Sequence, residues 1–311
     1  MLLLVQSLNL AWKVRLFSLG HHGFFGLGAY AAAITTRLTM SDPGSWNLEE
    51  PLNRLAGLTL LAVCVLAGAT LAACLARLLS SLFSRIRGDY FVVATLVFAE
   101  MVRSVAANWD YVGGGLGFEV PYLIFTKAGG ERLIYGTFYA VLLLSLNLVV
   151  FVAIRRIGRS VYGLYIGAIA DDPVAAELSG VDVIRLQSLM FVLAAAVAGG
   201  AGALFLHFTT LIAPSDFSFL NGLPIVLGVV LGGMRSARCV IAATCIYTFY
   251  EVIKLRFFGI FGPEYGELIA DWKEALLGIF LILIVILPAL MRQGWVRKLA
   301  REQKGSVANA W

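Results

Sequence analysis

Charge is scarce in this chain: only 14% of its 311 residues are Asp, Glu, Lys or Arg. Soluble domains carry about 25%, so an ordinary water-soluble globular protein is excluded. Histidine is nearly absent, with three residues, and the four cysteines (Cys64, Cys74, Cys239, Cys245) all lie inside apolar runs. None forms a Cys-x-x-Cys pair, which argues against metal or disulfide roles and for buried spectator thiols. Catalytic signatures are missing as well: no Gly-x-Ser-x-Gly, no phosphate loop ending in Gly-Lys, no His-Glu-x-x-His. The apolar runs themselves hold almost no ionisable residues, whereas carriers driven by an ion gradient keep such groups near mid-membrane. Uphill work by this chain would therefore draw its energy from a partner.

What is present is apolar length. The chain is 60% hydrophobic, with a mean hydropathy of +0.86. Its runs exceed the roughly 18 residues that mark a spanning helix. They are continuous and lack the alternating polarity of an outer-membrane barrel, so the expected class is an all-α, polytopic integral membrane protein. Spans are expected near 22–38, 55–76, 88–106, 133–154, 187–208, 219–234, 237–254 and 274–291. Met1 to Trp12 reads as part of one more helix, for about eight or nine in all within a single domain, 1–311. No cleavable signal is evident, and the abrupt apolar start suggests a short first helix or a start site placed too far downstream.

Net charge is +5, but the cations are not one patch, and nucleic acid is not indicated as a partner. They follow topology instead. With the tail 292–311 taken as cytoplasmic, sixteen of the 24 Lys and Arg residues fall inside, including Arg15, Arg77 and Arg159.

That orientation puts the polar stretch 155–185 in the cytoplasm. It carries Asp171, Asp172, Ala175, Ala176, Glu177 and Gly180 between two long apolar blocks. Small residues followed by a helix-stopping glycine make a short helix that another protein can approach closely. A plain loop is the alternative. The second unusual segment, Ser18 to Tyr30, sets Gly20, Gly23, Gly26 and Gly28 among His21, His22, Phe24 and Phe25. Such spacing permits either an unwound stretch facing a cavity or close helix packing. Candidate pathway residues are His21, Gly23, Phe25, Gly26, Gly28, Tyr30 and Glu100, the last three residues from Arg103 and able to pair with it. The run Trp109 to Gly117 reads as an outer loop shaping an entrance, Leu231 to Ser236 as a tight cytoplasmic turn, and Pro214 as a point where a helix starts or breaks.

In their order these segments resemble the LivM-type permeases of bacterial branched-chain amino-acid ABC transporters. The pieces that carry the resemblance are Ser18-Leu19-Gly20-His21 with Phe24 to Tyr30, Thr95 to Arg103, Asn108-Trp109-Asp110, Gly158-Arg159-Ser160, Asp171 to Gly180, Pro214 to Phe219 and Val230 to Gly233. The resemblance implies two paired permeases in the lipid, two ATPase subunits beneath them, and a periplasmic binding protein. By the same analogy Asp171 to Gly180 is the coupling helix, and ATP and Mg belong to the partner subunits while this chain binds no cofactor. The expected location is the bacterial inner membrane, and the expected cargo aliphatic amino acids. Permeases for urea or short amides are the near alternative, and an ion-coupled carrier acting alone is a more distant one. Two departures stand out: Val174 occupies a position where the family often has an acid, and the glycine-rich loop Val112 to Gly117 lacks the family's usual Asn.

Overall fold

The computed structural model of the chain describes residues 1–40, 51–83, 89–121 and 131–232. They are almost entirely helical: α1 (Leu2–Trp12), α2 (His21–Thr39), α3 (Pro51–Phe83), α4 (Asp89–Asn108), α5 (Glu131–Arg159), α6 (Val161–Asp171), α7 (Pro173–Leu178), α8 (Val183–Thr209) and α9 (Phe219–Gly232). Among the described residues, four stretches are long and apolar enough to cross a membrane: Leu55–Ser81, Tyr90–Asn108, Thr137–Arg159 and Val183–Thr209. The chain is thus an integral membrane protein of the all-helical kind. The expected spans at 237–254 and 274–291, the turn 231–236 beyond Gly232, and the tail 292–311 lie outside the described residues.

The helices differ from the expected spans mainly by running longer. α3 continues to Phe83 because Leu78 and Leu79 supply a further apolar turn and no breaker follows. α5 carries on through Arg155 and Arg156 to Arg159, so the first part of the polar 155–185 stretch is the end of a spanning helix.

α2 is the centre. It packs against α3, α4 and α8, which frees it from the need to face lipid with Leu and Ile, and its composition of Gly, Ala and His follows. In lipid, helices gain little from hiding apolar surface from one another, so association relies on close packing of small residues. Here Gly28 of α2, Gly68 of α3 and Gly199 of α8 meet at one level, and a methyl on Gly28 would overlap the Gly199 carbonyl. Gly202 sits equally close to the Phe25 carbonyl, and Gly23 lies on the Ala99 backbone of α4. The core builds outward from this contact: Phe24, Phe98, Phe191 and Phe91 form a chain of rings, with Phe24 and Phe98 centroids 4.9 Å apart. Burial is graded accordingly, with 67% of the apolar window of α8 enclosed against 6% for α5, which offers Leu144, Leu148 and Val152 outward.

One end of the bundle carries a small cap. Glycines 113, 114 and 117 all take positive φ, turning the chain after α4 so that β1 (Phe118–Glu119) pairs antiparallel with β2 (Leu211–Ile212) after α8. Arg37, at the end of α2, donates to the Tyr111 carbonyl and lies 4.5 Å over its ring. The opposite end holds the α6–α7 segment, together with Lys13, Arg15, Arg77, Arg155, Arg156, Arg159 and Arg185.

The glycine contact makes a stability prediction. Gly28→Ala and Gly199→Ala should each destabilise by about 1–3 kcal/mol through overpacking, read as a lower unfolding midpoint in detergent. Gly167→Ala, in α6 with no atom within 4 Å of the added methyl, should be neutral or gain up to about 1 kcal/mol. Equal behaviour of the three would contradict the assignment.

Candidate functional site

Two regions collect the sequence candidates, and they lie at different levels of the bundle. The first is the α6–α7–α8 turn. Asp172 ends α6 in extended backbone and caps α7: its carboxylate accepts from the Val174 N–H at 2.8 Å and the Ala175 N–H at 3.3 Å. Pro173 follows at the first helical position, where the missing N–H costs nothing. Gly180 terminates the helix with φ of +87°, the left-handed conformation that favours glycine. The N–H of Val181 reaches back to the Ala176 carbonyl at 3.1 Å, and that of Gly180 to Glu177 at 3.0 Å. Asp182 then caps α8 through the Arg185 N–H at 3.0 Å.

The short glycine-ended helix expected from sequence is therefore present, but its faces are distributed differently. Ala176, expected to face a partner beside Ala175, is 3% exposed and turned into its own chain. A methyl fits either side of so small a helix, so sequence could not choose. The outward apolar residues are Val174 and Leu178, 60% and 86% exposed and one helical turn apart, with Ala175 beside them and Asp171 and Glu177 exposed at the rim. Their i, i+4 spacing was a signal available in the sequence.

The second region is the His21–Tyr30 segment of α2. Of the two readings the glycines allow, the backbone adopts the regular one: helix is continuous from His21 to Thr39. Successive residues look in different directions. Gly23 faces α4 and Gly28 faces α3 and α8, while Gly26 receives the Phe217 ring. Phe25 stacks between Phe205 at 5.3 Å and Phe217 at 5.6 Å, and Tyr30 lies 5.6 Å from Phe217. Phe205 and Phe217 were not singled out from sequence; nothing in their local pattern marks them. His21 contacts the Ser18 hydroxyl at 3.1 Å, and His22 lies beside Phe219 and Gly222 of α9, both rings buried. Glu100 pairs with Arg103 at 2.6 Å, both side chains partly exposed.

Among the described residues there is no cluster of three His, Cys, Asp or Glu side chains able to hold a metal. What the geometry provides is an aromatic-walled central helix and, at one end, a small protruding helix.

Comparison with known proteins places these features in a wider set. Residues 1–285 match the family model described as branched-chain amino acid transport system / permease component. The chain is 30% identical over 256 residues to the high-affinity branched-chain amino acid transport system permease protein LivM of Salmonella typhimurium, covering 74% of this chain and 55% of the relative. It is 29% identical to LivM of Escherichia coli over the same extents. A fructose import permease protein, FrcC of Rhizobium meliloti, is 26% identical over 192 residues, 60% of this chain and 45% of the relative. The chain spans about half the length of these curated relatives. No solved structure matches.

The Gly180 geometry can be tested directly. No atom lies within 4 Å of a Cβ placed there, so a substitution meets backbone strain alone. Gly180→Val should weaken the end of α7 by about 1 kcal/mol or more, and Gly180→Asn by less. Faster amide exchange at residues 174–181, ordered Val above Asn above wild type, is the expected result.

Proposed function

This chain belongs to the permease-component family of branched-chain amino acid transport systems, and on that premise we propose that it is the transmembrane subunit of an ATP-driven importer for branched-chain amino acids. The observation that carries the reading is the α7 tip, a capped, glycine-ended helix holding Val174 and Leu178 out of the bundle. Apolar side chains so exposed next to rim carboxylates suit insertion into a groove on a soluble partner. The partner is an ATPase subunit, two per complex, and it supplies the ATP and Mg sites. A second permease and a periplasmic binding protein complete the assembly in the bacterial inner membrane. The concentration of Lys and Arg at the α7 end supports a cytoplasmic position for it, with the β1–β2 cap on the outside and the C-terminal tail inside.

The cargo rests on separate support. Two relatives bear branched-chain names, and the rings of Phe25, Tyr30, Phe205 and Phe217 offer an apolar wall suited to aliphatic side chains. A pathway must release what it admits, so its walls should bind weakly, and selection falls to the binding protein. A polar cargo (a sugar, urea or a short amide) is the second reading, favoured by the likeness to a fructose permease and by the buried polar rings of His21 and His22.

Uptake of labelled leucine by cells carrying the complete system should be competed by isoleucine and valine and not by fructose or urea; the reverse pattern transfers the assignment to the second reading. Leu178→Asp should cut co-purification of the ATPase chains about tenfold or more, the equivalent of losing one buried leucine, with permease abundance unchanged. Gly26→Leu, which must displace the Phe217 ring, should reduce transport in a protein that still inserts.

A further inference from the structure

α1 ends in a motif that normally selects glycine. The N–H of Leu16 reaches the Ala11 carbonyl at 3.3 Å and that of Arg15 reaches Trp12 at 3.1 Å, with Arg15 itself at φ of +59°. This is the same termination that Gly180 makes for α7, and an L side chain there is disfavoured. Arginine at such a position needs a reason in its side chain.

The side chain has one. Its Nε donates to the Ala170 carbonyl at 3.1 Å and its Nη2 to the Asp171 carbonyl at 3.0 Å, the open C-terminal end of α6. A cation there also complements the negative end of the helix. One residue earlier, the Val14 carbonyl accepts from Gln187 Nε2 at 2.9 Å, in the second turn of α8, while the Val14 side chain is fully buried. The helices on either side of α7 therefore grip two adjacent residues of the α1–α2 linker. Only five residues separate Arg15 from the start of α2. That remaining stretch is pinned in turn, with the Leu19 N–H on Thr95 Oγ1 at 3.2 Å and Ser18 on His21.

We propose that Arg15 is a positioning residue for coupling, the link through which displacement of the α6–α7 turn is delivered to the foot of the central helix α2. The proposal rests on the reading of α7 as the ATPase-docking element. A planar two-donor fork fixes both distance and direction against two successive carbonyls, which a flexible point charge does not. Without it, the turn can move while α2 stays where the glycine contacts hold it.

The test is the amount of substrate moved per ATP hydrolysed by the complete assembly in proteoliposomes, for wild type, Arg15→Gly and Arg15→Lys. Glycine suits the left-handed backbone, so that variant should accumulate normally and keep its ATPase chains. Its transport per ATP should fall about fivefold or more, the lower range of a coupling energy between sites, with lysine intermediate. A ratio per assembled complex is insensitive to how much protein folds, so a merely structural role would leave it unchanged. If the glycine variant fails to accumulate, the lysine variant is read on the same ratio. Wild-type ratios in either variant that is read overturn the proposal. Wild-type complex that hydrolyses ATP without moving substrate overturns instead the functional reading beneath it.

Discussion

Backbone touching backbone at Gly28, Gly68 and Gly199 is the contact on which the rest of this bundle depends. Lipid gives helices no hydrophobic reason to associate, so the favourable energy has to come from dispersion at short range, and only missing side chains permit that range. With α2, α3 and α8 locked at one level, α2 is committed to the centre. Its remaining faces are then assigned by the 3.6-residue period: Gly23 to α4, Gly26 to Phe217, His22 to α9. The candidate pathway segment is thus an enclosed, continuous helix.

The two ends of the bundle reach that centre by different means. At one end, positive-φ glycines and a two-residue strand pairing tie the loop after α4 to the loop after α8, and Arg37 fastens α2 to the first of these. At the other, hydrogen bonds from Arg15 and Gln187 tie the α1–α2 linker to the helices flanking α7. Arg77 adds a link between α3 and the foot of α8 through Ser188 at 2.8 Å. A protruding apolar tip is thus joined by directed polar contacts to a glycine-packed centre.

How much of this could be read from the sequence depended on the range of the interaction. The membrane class and the helix positions follow from local composition, and α2, α4 and α8 lie within a few residues of expectation. Gly180 was legible because the left-handed end of a helix selects its residue locally. The Asp172-Pro173 pair was equally legible as a cap followed by a first turn, whereas the sequence reading took Asp172 only as a residue of the docking element. Ala176 went astray because a methyl group carries no preference between partner and core. Arg15 was beyond reach: it counted only as one more cation, since its left-handed backbone is unusual for arginine and its partners lie 155 and 156 residues away. The β1–β2 pairing, two residues on each side and far apart in sequence, left no periodic trace.

The proposed dependence on an external motor is most directly measured by leucine uptake into proteoliposomes containing the chain alone or with the ATPase, second-permease and binding-protein partners proposed for it. Uptake should require the full set and ATP, and should persist when an ionophore collapses the proton gradient. Uptake by the isolated chain that needs no ATP and stops with the ionophore would contradict the assignment.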